Sequence, residues 1–214
     1  MMKKISKLAL LAAATVFLLA AFPACSDDDG DGNTTVQPGG GDTGDDDEKG
    51  GSDVDPGTST TPAVYVLEAT ALDTVATGDK TDGSTTTVGT SDYFTIYWSA
   101  NMRVDPSTKS WDDGYSSTQR INMAGKWTGS KQFIKFTTKK AVTVKVWWAE
   151  GDVNRPLQIG KYTGSTPTDI VAEDTTSTAK NDPHLSTLTL SEAGDWALGS
   201  GVGANYIYKI EVTE

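Results

Sequence analysis

The stretch VTVKVWWA, residues 142–149, decides the fold class. Its apolar side chains recur at every second position, so Val142, Val144, Val146 and Trp148 share one face while Thr143, Lys145 and Trp147 share the other. A helix would need them to recur near every 3.6 residues, and three valines within five positions also favour extended backbone. The valine and Trp148 face is therefore the expected core face of a β-strand.

The same alternation spreads outward on both sides. Residues 63–69, 93–98, 118–124, 132–138, 156–162, 185–190, 195–200 and 205–212 read as further short strands, separated by Gly, Asp, Asn and Thr clusters that favour turns. Phe94, Ile96 and Trp98 form one core set, with Tyr93, Thr95 and Tyr97 opposite; Ile121 and Met123 form another, with Arg120 and Asn122 opposite. In residues 132–138 two pairs alternate, Phe133/Lys135 and Ile134/Phe136, and burying the second pair keeps the lysine outside. No amphipathic helical stripe is visible. The expected architecture is all-β, a single antiparallel β-sandwich of jelly-roll-like form spanning residues 63–214, about 150 residues, which is the size of one domain with a proper core.

Before this domain the chain changes character twice. Lys3, Lys4 and Lys7 precede an apolar run from Leu8 to Ala21, then Phe22-Pro23-Ala24-Cys25. The run is too short for a comfortable membrane span of roughly 20 residues and lacks basic stop-transfer flanks, so residues 1–24 are expected to be a cleaved secretory signal. Cys25 is the only cysteine, which excludes an intramolecular disulfide. Small residues before a cysteine directly after the apolar run resemble the lipobox of bacterial lipoproteins, although Phe22-Pro23 depart from its usual Leu and small residue. That resemblance implies a diacylated Cys25, a palmitate-type lipid anchor and attachment to the outer membrane. The following SDDDGDG resembles the Ser-plus-acidic export signal that carries some lipoproteins to the cell surface.

Residues 25–62 read as the lipidated cysteine and a disordered Asp/Gly/Thr tether that buries too little apolar surface to offset chain entropy. Residues 26–57 hold eleven acids against Lys49 alone, whereas from Thr58 onward eighteen acids face fourteen bases. The net charge of −11 thus describes the tether more than the domain, and self-repulsion would extend such a linker. Nucleic acid is not an expected partner.

Several segments of the domain, QRINM, FIKFTTKKAVTVKVWWA, NRPLQI and AGDWALGSGVGANYIYKIEV, resemble in order and spacing a β-sandwich module attached to secreted bacterial pectate lyases. The resemblance covers roughly residues 93–212. It implies a non-catalytic module that helps to hold pectic polysaccharide, and it places the family's recurrent polar residues on Asp113, Gln119, Arg120, Lys135 and Arg155. Trp111, Trp127, Trp147 and a charged insertion around residues 170–183 depart from the pattern.

Chemistry-bearing constellations are scarce. His184 is the only histidine and no G-x-S-x-G surrounds any serine, which removes the usual serine-hydrolase arrangement. Asp112, Asp113, Glu150 and Asp152 sit in turn-like W-D-D-G and E-G-D contexts, which turn chemistry explains without the paired carboxyls of a glycosidase. Catalysis and cofactors are not expected; the loop acids permit a structural calcium ion, but their spacing does not demand one.

Sugar binding asks for an aromatic platform and polar or cationic side chains, with arginine suited to a uronate carboxylate. Trp147, Lys145, Arg120, Lys135, Arg155, Trp111 and Trp127 are the candidate carbohydrate-binding residues, and Trp147 fits platform and packing equally well. Arg120 and Arg155 have the alternative of pairing with Asp113 or Asp152. The expected ligand is polysaccharide, pectin or polygalacturonate above all; the rival reading is a structural or adhesive envelope protein that uses the sandwich for protein contacts.

Overall fold

The computed structural model describes residues 61–175 and 179–214. The signal segment, Cys25 and nearly all of the tether lie outside the described residues.

Among the described residues, twelve strands form two six-stranded sheets in which every pairing is antiparallel. In chain order they are β1 (Val64–Glu68), β2 (Thr85–Val88), β3 (Phe94–Tyr97), β4 (Arg103–Ser110), β5 (Ser116–Asn122), β6 (Phe133–Thr138), β7 (Val142–Glu150), β8 (Leu157–Lys161), β9 (Thr168–Asp174), β10 (Pro183–Leu190), β11 (Gly194–Gly199) and β12 (Asn205–Thr213). The first sheet runs β10-β7-β12-β5-β4, with β1 also paired to β12; the second runs β2-β3-β6-β11-β8-β9. Only two 3-10 turns interrupt the strands among the described residues.

The inner faces are those the alternation specified. Val142, Val144, Val146 and Trp148 are buried beside Ile207, Ile210 and Val212 of the neighbouring β12, and they belong to one core with Phe94, Ile96, Trp98, Ile134, Phe136, Trp196 and Leu198 of the second sheet. Ile134 and Phe136 face this core, while Phe133 joins a separate cluster with Trp127 and Ala197. Each of the three core tryptophans donates its indole N–H to a hydroxyl on an adjacent strand or edge: Trp98 to Thr86 at 2.9 Å, Trp148 to Ser186 at 2.6 Å and Trp196 to Thr138 at 2.9 Å. Their burial therefore leaves no orphaned donor.

Three strands have no counterpart in the sequence reading: β2, β4 and β9. Each is a sheet edge. An edge strand buries little, so TTTV, RVDPSTKS and TDIVAED carry few alternating apolar residues. Pro106 sits in β4 next to a register shift, where its missing N–H does least harm to the ladder. The presumed charged insertion at residues 170–183 is for its first part the outer strand β9, paired to β8.

The β4–β5 hairpin does more than finish the first sheet. Ser107 Oγ and the Tyr208 hydroxyl on β12 are 2.8 Å apart, Trp147 Nε1 on β7 donates to Asp113 Oδ2 at 2.8 Å, and Trp111 Nε1 donates to the His184 carbonyl on β10 at 2.8 Å. The hairpin tip thus reaches over the outer surface of β12 and β7 as far as β10. A bulge between Ile207 and Lys209 completes the arrangement by turning both Tyr208 and Lys209 toward that surface.

Candidate functional site

The sequence parity of Trp147 is right, yet its exposure is not that of a platform. It lies on the outer side of β7, where the hairpin tip covers it, and only 5% of its surface is exposed. Trp111, Tyr115 and Tyr208 complete a small aromatic layer with ring centroids 5.0–5.5 Å apart, and Lys209 Nζ sits 4.5 Å from the Trp147 ring. Alternation says which way a side chain points but not what folds across it. Trp111 and Trp127 are corrected in the same way, at 7% and 5% exposure. Trp127 is packed over Gly199 and Gly201 on the second sheet, with its backbone N–H bonded to Ser200.

The candidate cations do not form one patch. Arg120 is on the outer side of the first sheet, its Nε 2.7 Å from Asp105 Oδ1 and its guanidinium 4.0 Å above the Tyr206 ring. Asp105, rather than Asp113 or Asp152, is its partner, because the β4–β5 register sets those two residues opposite each other. Lys145 is exposed on β7, facing Thr187 and Glu211 of the flanking strands. Lys135 stands on the second sheet, 3.2 Å from Asp195. Arg155 lies in the β7–β8 loop, where Asp152 is a loose partner at 3.6 Å.

Burial by itself would raise the Asp105 carboxyl, but hydrogen bonds and charge from Arg120 and Arg103 together hold it below the usual carboxylate range. A group depressed in the folded state contributes stability that is complete above its unfolded pKa of about 3.9 and disappears as pH falls through the folded value. Asp105→Asn should therefore flatten the acid limb: urea midpoints of the two proteins differ at pH 6 and converge toward pH 2. Parallel curves over that range would dismiss the pair as a source of acid sensitivity.

The second sheet offers the more open aromatic surface. Tyr97 and Phe133 stack at 4.5 Å with planes 18° apart, and Tyr162 leans against both at 5.6 and 5.2 Å. Phe133 is buried, whereas Tyr97 and Tyr162 are half-buried. Lys135 Nζ lies 5.4 Å from the Tyr162 ring centre, and Asp195 accepts from both Lys135 and Thr137. Beside the rings the outward positions of β11 are Ala197 and Gly199, paired with Gly160 and Gln158 of β8. Ala197 is buried in the same cluster and Trp127 lies over Gly199, so the partly exposed aromatic surface here is that of Tyr97 and Tyr162. Burial and the neighbouring Tyr97 hydroxyl push the Tyr162 phenol up, so this phenol stays neutral and able to donate near neutral pH.

Tyr97 carried a signal in the sequence, since alternation already set it opposite Phe94, Ile96 and Trp98. Tyr162 had none. It follows the last residue of β8 and meets Tyr97 only because β8, β11, β6 and β3 lie side by side.

No protein-family model matches the chain, and no curated protein matches it. Solved structures match parts of it loosely, two of them as follows. One concerns the Ruminococcus flavefaciens cellulosome and an expansion in its glycan recognition; it is 18% identical over 71% of this chain and 93% of its own, with a TM-score of 0.38. The other is the C-terminal CBM6 of LamC, a marine laminarinase from Zobellia galactanivorans, 13% identical over 52% of this chain and 90% of its own, with a TM-score of 0.25. Backbones that superimpose so loosely say nothing about a ligand, and function has to be read from this chain's own residues.

One further feature stands at the end of the sandwich where β7 finishes and β12 begins. Glu150 and Asn205 are ladder partners there, 1% and 0% exposed, yet Glu150 Oε2 and Asn205 Oδ1 have no hydrogen-bond partner. A buried polar atom left unpaired costs on the order of 1–3 kcal/mol. Glu150→Gln supplies an amide N–H donor on the ladder partner of Asn205. The substitution should raise stability by roughly 1–2 kcal/mol in denaturant unfolding; a less stable variant would mean that the carboxylate is already satisfied.

Proposed function

We propose that the chain is a surface-anchored lipoprotein whose β-sandwich binds polysaccharide without acting on it chemically. The reading rests on the Tyr97–Tyr162 strip of the second sheet: two half-buried rings fringed by Lys135 and Asp195. Sugar rings stack their C–H faces on such aromatics, while a carboxylate accepts from the hydroxyls and an ammonium donates to them. Lys135 favours a polymer carrying carboxylates, in keeping with pectin or polygalacturonate. Cys25 supplies the anchor to the outer membrane, the acidic tether holds the domain off the lipid, and neither catalysis nor a cofactor is required. The glycan would be handed to separate degrading enzymes and an importer.

The test is affinity electrophoresis of the chain from Ser26 onward in gels containing polygalacturonate, methyl-esterified pectin or neutral glycans. Polygalacturonate should retard it most, and Tyr97→Ala or Tyr162→Ala should weaken retention roughly tenfold, the equivalent of about 1.4 kcal/mol. A chain that no glycan retards would refute the reading and leave the structural or adhesive role, with an envelope protein as partner. Incorporation of labelled palmitate that Cys25→Ala abolishes tests the anchor separately.

A further inference from the structure

The cavity beside Glu150 lies away from the tyrosine strip. It has a volume of about 160 Å³ and is lined by Glu150, Asn154, Arg155, Pro156 and Thr175. Arg155 is held along one wall by the absence of two side chains. A Cβ on Gly203 would stand 2.6 Å from its Cδ and Nε, and one on Gly151 would stand 3.2 Å from its Nη1 and 2.6 Å from the Ala204 carbonyl. The guanidinium is thereby positioned by the β7–β8 and β11–β12 loops rather than by hydrogen bonds of its own. Its 3.6 Å approach to the half-exposed Asp152 is longer than a hydrogen bond.

Arg155 and Glu150 line one cavity, yet no ion pair joins them. Glu150 Oε2 is buried and unpaired, so the lining holds both an acceptor in need of a donor and a guanidinium whose donors are available. A carboxylate suits the guanidinium fork, and a hydroxyl suits the carboxylate oxygen. A ligand that satisfies both carries the two groups on one small frame. The volume of about 160 Å³ admits a single sugar ring.

We propose that this cavity is a second glycan site, which takes the terminal uronic acid of an anionic chain with its carboxylate on Arg155 and a ring hydroxyl on Glu150. The inference rests on the reading of the domain as glycan-binding and adds recognition of a chain end to the strip that holds its length. A neutral sugar forgoes Arg155, and a simple carboxylate forgoes Glu150. Selectivity for the hydroxylated acid follows from having both.

Titration of the chain from Ser26 onward with galacturonate, galactose and acetate, followed by backbone amide NMR, tests it. Galacturonate should bind at least tenfold more tightly than either of the others and shift the amides of residues 150–155. Arg155→Gln and Glu150→Gln should each weaken it at least tenfold. The second variant is expected to be the more stable protein, so its loss of binding cannot come from unfolding. Equal affinity for all three compounds, unchanged affinity in both variants, or binding that EDTA abolishes would each overturn the proposal. If polygalacturonate still retards a chain that shows no preference for galacturonate, the cavity inference fails and the strip stands; if neither polymer nor monosaccharide binds, both fail.

Discussion

Replacing Trp147 by alanine is expected to destabilise the folded domain by about 3–5 kcal/mol, the range for removing a large buried aromatic, and to leave glycan retention per folded molecule unchanged. The ring is 5% exposed and lies between Lys209 and Tyr115, and its indole N–H holds Asp113 at the hairpin tip. Hydrogen bonds from the Tyr115 N–H and from Trp147 hold the Asp113 carboxyl below its ordinary range, so both contacts favour the charged form. Deleting the indole leaves a cavity under the hairpin and frees one of the three contacts that carry it to β7, β10 and β12. Denaturant unfolding measures the loss, and affinity electrophoresis of the remaining folded protein measures binding. A loss below 1 kcal/mol, or a selective loss of binding at normal stability, would show that the ring serves as a surface after all.

Gly89→Ala should be the most damaging single-methyl change, costing about 3 kcal/mol or more through backbone strain and overpacking together. Gly89 has φ 85° and ψ −175°, a conformation essentially confined to glycine. A Cβ there would lie 2.7 Å from Phe94 Cδ2 and 2.8 Å from the Val66 carbonyl. Phe94 is fully buried, so its ring has nowhere to move, and the Val66 carbonyl belongs to β1. Gly114→Ala is the matched control: φ is 88° but nothing lies within 4 Å of the added methyl, so strain alone operates, at about 1 kcal/mol. Thermal unfolding should separate the two by roughly 5 °C or more. Similar midpoints would mean that β1 and β3 can part around residue 89.

Both substitutions concern features that differ in how far they are visible in a linear sequence. The outward parity of Trp147 could be read from VTVKVWWA, because side-chain direction along a strand depends on the backbone alone. Its cover could not, because the hairpin that hides it comes from residues 103–122 and reaches β7 only after β5 has paired with β12. The candidate cations show the same divide. Arg120, Lys135 and Arg155 were each expected near the surface, and each is only partly buried. They occupy the first sheet, the second sheet and a loop end, since strand order in a sandwich is set by long-range pairing that alternation does not encode.

What the sequence by itself determined is the all-β class, the places of nine of the twelve strands, the inner faces of four of them and the burial of Trp98 and Trp148. Period-two apolar patterning is a local property, and it is strong wherever one face of a strand must leave water. The tertiary structure alone decided the edge strands β2, β4 and β9, the covered state of Trp111, Trp127 and Trp147, and the meeting of Tyr97 with Tyr162 and of Arg155 with Glu150. Edges lack the burial that writes a pattern, and the other pairings join residues far apart in the chain whose proximity exists only once both sheets have formed.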